Sequence, residues 1–301
     1  MAVEDKKISE VFSFMQAFQE FLQEYVEEPV VFTPEAQVSL PLRPCLVIFS
    51  SDVHFGSIYT NYKKLAEIWQ AVVDTEGVYL VVNGDFIDNF EVPVPKLLLA
   101  GINSQLISPQ RQRYFYEQYL KALIEKGKLL GMVLGNHEEF SSVELFKEVS
   151  QKVPVAPNRI ELTLSFENGF EVVMALIHKS RFNSFLNPTH SSLRELHLNH
   201  PYADIIVTSH THLPSLMLYP YPKHRQGLTE RVLIKTGSLK DLEPYTHKYF
   251  NPHRVSHIST PAVIIDPQKK RLLPFSRFED ALEVFKTIKT IYTGGSQNEQ
   301  D

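Results

Sequence analysis

The chain has 301 residues, of which 43% are hydrophobic and 22% are charged, so it can bury a large core as one large domain or as two small ones. Its formal net charge of -5 gives no overall basic surface of the kind that marks nucleic-acid binding, although a local basic face stays open. Cys45 is the only cysteine, which excludes an intramolecular disulfide and a thiolate metal cluster; with no signal-like or membrane-spanning segment, we expect a cytoplasmic protein.

The chain begins with a segment that we interpret as an amphipathic helix and linker over residues 1–40. Apolar residues recur there at steps of three and four, which is typical of one helical stripe. We expect the stripe to pack on the core of the protein; the alternative is a surface for a partner or for a homo-oligomer. The residues of the stripe are Val11, Phe12, Met15, Phe18, Phe21, Leu22, Tyr25 and Val26.

Three short apolar runs follow, and each has the length of a strand: residues 45–50, 78–83 and 128–135. Helix-like segments over 62–74 and 110–126 separate them, so this part predicts parallel strands joined by helices.

Later in the chain, Asn168-Gly169 between two apolar runs is a strong hairpin signal. A helix over 191–199, strands at 203–209, 231–237 and 261–266, and a helix over 278–291 complete the set. We therefore expect an α/β (α+β) fold in a single domain over 41–292, with an insertion at about 90–110 and a disordered tail at 293–301.

Polar side chains capable of binding metal follow five of the predicted strands. In open α/β sheets the loops at the carboxyl ends of the strands converge on one crevice, so these side chains are expected to meet. They are Asp52 and His54, Asp85, Asn136 and His137, His178, and His210 and His212.

This donor set of carboxylates, imidazoles and one carboxamide suits Mn, Fe, Zn, Ni or Co. It exceeds the needs of one ion, and with one bridging carboxylate it would serve two ions of about four protein ligands each. Two neighbouring ions favour hydrolysis of a phosphate ester, in which a hydroxide held by both ions attacks phosphorus in line.

In this order the motifs resemble those of the calcineurin-like metallophosphoesterases: Asp52-Val53-His54, Gly84-Asp85, Gly135-Asn136-His137-Glu138, His178, and His210-Thr211-His212. The resemblance implies a four-layer αββα sandwich of two mixed sheets flanked by helices. It implies two divalent ions, for which we expect Mn, with the Asp85 carboxylate bridging the two. It also implies that His137 lies beside the leaving group and that Glu138 orients its imidazole. The implied ligands are Asp52, His54, Asp85 and His212 for one ion, and Asp85, Asn136, His178 and His210 for the other.

Two features depart from the pattern of the family. Ser209 stands where glycine is usual, which implies either a backbone angle that serine tolerates or a different approach of the loop. The connection from Asp85 to Asn136 is about 50 residues long and is either a substrate wall or a packed surface excursion.

Candidate substrate contacts are Asn187 and His190, in the loop between His178 and His210, and the cations Arg181 and Lys240. From Lys240 to His257 cations alternate with aromatic rings, as on a surface that stacks bases and meets phosphates; the alternative is a loop that covers a sheet edge.

These features favour a phosphodiesterase that acts on a nucleotide or nucleic acid, similar to the nuclease-type family members of phage and prokaryotes. The alternatives are a pyrophosphatase or phosphomonoesterase for a small nucleotide or lipid-linked substrate, with Leu97, Leu98 and Leu99 as an apolar wall, and a non-catalytic metal-binding scaffold.

Overall fold

The computed structural model describes residue 13 and residues 32–90, 104–140, 146–184, 186–241 and 258–295. Within these residues the chain forms five α-helices and two mixed sheets of six strands each. The helices are α1 (Tyr62–Asp74), α2 (Pro109–Glu125), α3 (Lys147–Ser150), α4 (His190–Leu198) and α5 (Phe278–Gly295). The strands are β1 (Glu35–Leu40), β2 (Cys45–Ser50), β3 (Val78–Asn83), β4 (Leu129–Leu134), β5 (Val155–Pro157), β6 (Arg159–Phe166), β7 (Glu171–Ile177), β8 (Ile205–Thr208), β9 (Ser215–Arg225), β10 (Leu228–Lys235), β11 (Ala262–Asp266) and β12 (Arg271–Phe275).

The first sheet has the strand order β12-β11-β2-β3-β4-β5. The strands β2, β3, β4 and β5 are parallel, whereas β11 and β12 are antiparallel additions at one side. The helices α1 and α2 connect the parallel strands. They begin at ordinary caps: the Asn61 side chain accepts a hydrogen bond from the Lys64 N–H, and the Ser108 side chain precedes Pro109 at the first helical position.

The second sheet has the order β1-β6-β7-β8-β10-β9. The hairpin of β6 and β7 is antiparallel and turns at Gly169, whose φ of +75° suits the tight turn. The strands β7, β8 and β10 run parallel to one another, so their carboxyl ends lie at the same edge of the sheet.

Alternation along the strands divides the core into layers, because successive side chains point to opposite faces. In β2, Val47 and Phe49 pack between the two sheets, whereas Leu46 and Ile48 pack against α1, α2 and α5. The outer face of the second sheet packs on α4 through Leu196. The predicted αββα sandwich is therefore confirmed.

Residues 35–40 correct one expectation. We predicted a linker there, but these residues form β1, which pairs in parallel with β6 at the edge of the second sheet. Ala36, Val38 and Leu40 alternate toward the core between polar neighbours, a strand pattern of period two that the sequence analysis missed.

The end of the chain extends the predicted helix of 278–291, since α5 continues to Gly295 and includes part of the predicted tail. The predicted N-terminal helix, most of the insertion at 90–110, the stretch 242–257 and the last six residues of the tail lie outside the described residues. Among the described helices, none has the length and apolar character needed to cross a membrane.

Candidate metal centre

The predicted ligands lie on loops at the carboxyl ends of β2, β3, β4, β7 and β8, where the two sheets meet. Five of them have left-handed backbone angles, a conformation that costs a residue other than glycine roughly 1 to 2 kcal/mol. Such angles persist only where the surrounding structure imposes them, and they cluster at functional sites. The residues are Asp52 (φ 50°), His54 (φ 51°), Asp85 (φ 52°), His210 (φ 73°) and His212 (φ 55°).

One group of donors joins Asp52, His54 and His212, whose ligand atoms all lie within 4.8 Å of one another. The His212 Nε2 atom lies 3.2 Å from Asp52 Oδ1 and 3.3 Å from His54 Nε2. Burial alone would raise the pKa of Asp52, but the neighbouring His212 ring lowers it to about 2, so this carboxylate is ionised at neutral pH.

A second group joins Asp85, His178 and His210 within the same limit of 4.8 Å. The His178 Nε2 atom lies 3.0 Å from Asp85 Oδ2 and 3.3 Å from Asn136 Oδ1, and His210 Nδ1 lies 3.9 Å from Asp85 Oδ2. Asp85 also belongs to a third group, with His54 and His137, so its carboxylate lies between the first two groups.

The tautomers of two histidines direct a lone pair into the centre. His178 Nδ1 donates to the Asn83 carbonyl oxygen at 2.9 Å, and His54 Nδ1 donates to Asp88 Oδ1 at 3.1 Å. In a neutral ring each Nε2 is then an acceptor. This is the usual arrangement of a metal-binding histidine, whose other nitrogen is held by a carbonyl or a carboxylate.

Acceptors that face one another require a cation between them. Burial lowers the pKa of His178, but the Asp85 carboxylate raises it more, to about 10, so without a metal a proton occupies this position. Burial and the Lys240 ammonium lower the pKa of His54 to about 3, which leaves that ring neutral. Among the residues that the structure describes, no group meets the buried atoms Asp52 Oδ1 and His210 Nδ1 with the geometry of a hydrogen bond. The residues therefore fit divalent cations.

Glu138 has contacts other than the expected one. We expected it to orient the His137 imidazole, but its carboxylate accepts backbone N–H bonds from Asp85 at 2.8 Å, Gly135 at 2.7 Å and Phe86 at 2.8 Å. The His137 Nδ1 atom instead lies 2.6 Å from the carbonyl oxygen of Asp88. Glu138 therefore joins the loops that carry Asp85 and Asn136, because a carboxylate can accept several backbone donors at once.

Two glycines of the motifs allow close approach. A Cβ on Gly135 would lie 2.1 Å from Asp85 Oδ1 and 2.4 Å from the Asp85 backbone nitrogen. A Cβ on Gly84, which has a φ of +85°, would lie 2.3 Å from His178 Nδ1. Each glycine thus leaves room for a ligand of the second donor group.

Ser209, which departs from the family pattern, has no left-handed backbone angle and is buried. Its Oγ accepts from Asn83 Nδ2 at 3.0 Å and lies 2.9 Å from the Asn83 carbonyl oxygen, 3.2 Å from the His178 carbonyl oxygen and 3.1 Å from His178 Nδ1. The position accommodates serine, and its hydroxyl links β3 to the ends of β7 and β8. Sequence reasoning missed Asn83 as its partner, since an asparagine at a strand end gives no distinctive signal.

Asp88 is a second residue that sequence reasoning missed. Its buried carboxylate contacts His54, and its carbonyl oxygen contacts His137, so Asp88 holds a histidine of the first donor group and a histidine of the third. Burial opposes its ionisation, but the contacts with His54 and Lys240 lower its pKa overall. Its position three residues after Asp85 was the available signal.

The predicted substrate contacts lie in different surroundings. Arg181 and Asn187 are exposed on the loop between β7 and α4, and His190 is half-buried at the start of α4. Lys240 is 4% exposed and its Nζ lies 3.0 Å from Asp88 Oδ1, so the ammonium binds a carboxylate of the protein. This placement does not support the phosphate contact that we predicted for Lys240.

A profile of the calcineurin-like phosphoesterase family matches residues 46–214. No curated protein matches the chain.

The solved structures that are similar to this chain have low sequence identity to it. The chain is similar to vacuolar protein sorting 29 from Cryptosporidium parvum, with 15% identity over 78% of this chain and 100% of that one and a TM-score of 0.42. A metallophosphoesterase from Sphaerobacter thermophilus has 13% identity over 78% and 90%, with a TM-score of 0.37. The nuclease MPE of Pseudomonas putida has 12% identity over 76% and 87%, with a TM-score of 0.31.

Proposed function

The chain belongs to the calcineurin-like phosphoesterase family, and from this premise we propose that it hydrolyses a phosphodiester in a nucleotide or nucleic acid with the help of two divalent ions. The observation that carries the proposal is the sharing of Asp85 between donor groups on either side of it. The first ion would be held by Asp52, His54, Asp85 and His212, and the second by Asp85, Asn136, His178 and His210. When bound, the ions would neutralise charge on the phosphoryl oxygens and acidify the attacking water.

We propose that His137 gives a proton to the leaving group. Its ring packs edge-on against His54, with the ring centres 4.6 Å apart, and its backbone N–H donates to Asp85 Oδ1 at 3.0 Å. Because Nδ1 donates to the Asp88 carbonyl oxygen, the ring is fixed in orientation and Nε2 is the atom that would give a proton to the departing oxygen. The neighbouring Phe90 ring, with its centre 4.9 Å away, limits its rotation.

The choice of a nucleotide or nucleic acid rests on the sequence that follows Lys240, up to His257, where cations and rings alternate. A specific observation favours a second candidate, an ester with an apolar group such as a lipid-linked or small nucleotide substrate. Ile58 is 48% exposed and Leu106 is 58% exposed, and the segments that carry them pair directly after the His54 loop. Phe115, which stacks on Phe55 with the ring centres 3.9 Å apart, is 37% exposed.

The test is a substrate screen on protein that is first freed of metal with a chelator and then loaded with Mn, Zn, Co, Ni or Fe(II). The panel contains bis-p-nitrophenyl phosphate, p-nitrophenyl phosphate, single- and double-stranded DNA, cyclic nucleotides and nucleotide-linked lipids. Affinity for a nucleic acid should fall steeply with salt, whereas affinity for a small ester should not.

Variants tie any activity to this centre. We expect His137→Ala to retain both metals and lose about 100- to 10,000-fold in kcat, and Asp85→Asn to lose metal. His197→Ala, an exposed histidine on α4, is the matched control and should behave as wild type. Full metal loading without hydrolysis of any ester would favour the non-catalytic scaffold, and unchanged kcat in His137→Ala would remove its proposed role.

A further inference from the structure

A buried lysine lies behind the first donor group. The Nζ atom of Lys240 and the Nδ1 atom of His54 lie 3.0 and 3.1 Å from the same oxygen, Asp88 Oδ1. Lys240 is 4% exposed and Asp88 is 0% exposed. Lysine is almost never buried to this degree unless it is paired, so the ammonium, the carboxylate and the imidazole form one chain that ends at a proposed metal ligand.

The backbone that carries Lys240 is attached to the ligand loop. The Ser238 hydroxyl donates to the Asp52 carbonyl oxygen at 2.6 Å, and the Leu239 N–H donates to the same oxygen at 3.1 Å. Lys240 also forms an isolated β-bridge with Thr60, six residues after His54. The ammonium is therefore held in a fixed place relative to Asp52 and His54.

This arrangement fixes the direction of the His54 lone pair. Because Asp88 Oδ1 accepts from His54 Nδ1, the ring presents Nε2 toward His212 Nε2, 3.3 Å away. Without the Lys240 ammonium, the buried Asp88 carboxylate would lose the cation that lies 3.0 Å from its Oδ1 atom and would be held less firmly on the His54 ring. A neutral side chain at position 240 would remove this ion pair.

We propose that Lys240 is a positioning residue that holds the Asp88 carboxylate on His54 and thereby sets the metal affinity of the Asp52, His54 and His212 group alone. The proposal rests on the proposed function in that it requires two metal sites. It replaces the substrate contact that the sequence suggested for Lys240. Loss of a carboxylate partner behind a metal-binding histidine typically weakens metal binding by about 10- to 100-fold.

The experiment is a titration of metal-free protein with Mn²⁺, followed by the EPR signal of free Mn²⁺ so that two binding steps are resolved. We expect Lys240→Met and Lys240→Gln each to weaken one step by about 10- to 100-fold and to leave the other unchanged. That step should be the one that is absent in His54→Ala, whereas His178→Ala should remove the other. Lys240→Arg, which keeps the charge, should restore most of the affinity.

Lys128→Met is the matched control. Lys128 is half-buried, and its Nζ donates to the carbonyl oxygens of Thr75 at 2.8 Å and Val78 at 3.3 Å, at the opposite end of β3 from Asp85. It should bind both ions as wild type does.

Two outcomes would overturn the inference: unchanged titrations of Lys240→Met and Lys240→Gln, or equal weakening of both steps with a lower melting temperature, which would indicate a general structural role. If Lys240→Met does not fold, Lys240→Gln decides alone, because it removes the charge and keeps a polar side chain at the buried position. A wild-type protein that binds no metal would instead refute the proposed function, so the two failures are distinguishable.

Discussion

Removal of the Ser209 hydroxyl tests how β3 is joined to the loops of the second donor group. The Oγ atom donates one proton, to the carbonyl oxygen of Asn83 or of His178, and accepts one from Asn83 Nδ2. In Ser209→Ala both hydrogen bonds are lost. One buried N–H of Asn83 then lacks its partner, while the other still reaches the Ile177 carbonyl oxygen at 3.2 Å.

The magnitude follows from these contacts. A net hydrogen bond contributes about 1 kcal/mol, and an unsatisfied buried donor costs about 1 to 3 kcal/mol. We therefore expect Ser209→Ala to lower the free energy of unfolding by about 2 kcal/mol. Ser209→Gly should lose about 0.5 to 1 kcal/mol more, because glycine gains backbone entropy in the unfolded chain and the position has no left-handed angle to favour it.

The assay is urea unfolding in the presence of a chelator, so that metal binding does not contribute. The fluorescence of Trp69, which packs on Tyr119 with the ring centres 4.8 Å apart, reports the transition. Ser259→Ala is the control, since that hydroxyl also forms a hydrogen bond, to the Ser276 carbonyl oxygen at 2.9 Å, but at an exposed site.

Two results would refute this reasoning. In one, Ser209→Ala lies within about 0.5 kcal/mol of the Ser259→Ala control. In the other, Ser209→Gly is more stable than the wild type, which would mean that the loop requires glycine after all.

Three further predictions concern the surroundings of the centre. Glu138→Gln should lower the free energy of unfolding, measured with urea, by about 2 to 4 kcal/mol, because the new amide N–H₂ would face backbone N–H donors. A loss equal to that of the exposed control Glu139→Gln would contradict this. Gly135→Ala should weaken Mn²⁺ binding in calorimetry, because its Cβ would lie 2.1 Å from Asp85 Oδ1, whereas Gly127→Ala, which has nothing within 4 Å, should affect stability alone. Burial lowers the pKa of Lys235 from 10.5 to about 8. Between pH 8 and pH 10.5 the Lys235 amine is neutral in the folded protein and protonated in the unfolded chain, so the free energy of unfolding rises with pH. In this range the metal-free wild type should gain up to roughly 3 kcal/mol of stability over Lys235→Met. A difference between the two proteins that does not change with pH would count against this reasoning.

Periodicity predicted most elements because their patterns are local. The helix at 62–74 and the strands at 45–50 and 78–83 have the bounds that the sequence indicated. The four edge strands, β1, β5, β9 and β12, were missed. Edge strands mix polar residues and prolines such as Pro220 with apolar ones, since they pack on one side only, and so the pattern resembles a linker.

The order of the motifs placed the donor residues correctly at the ends of strands, because the chain direction of a parallel sheet fixes which loops share an edge. Contacts between loops were not predictable in the same way. Glu138 follows His137 directly, yet its carboxylate accepts from the backbone of Asp85 and Phe86. Because His137 is its neighbour in sequence, it was the expected partner of Glu138. The close approach of the loops after β3 and β4 gives Glu138 the backbone of Asp85 and Phe86 instead.

The sequence by itself therefore determined the fold class and the family and predicted a donor set, because each depends on residue types in a fixed order along the chain. Only the tertiary structure decided which atoms each side chain meets. It showed that Lys240, a predicted substrate contact, is a buried partner of Asp88, and that Ser209 contacts Asn83. These contacts join residues more than 100 positions apart, and side-chain direction at a loop is fixed by packing rather than by local pattern.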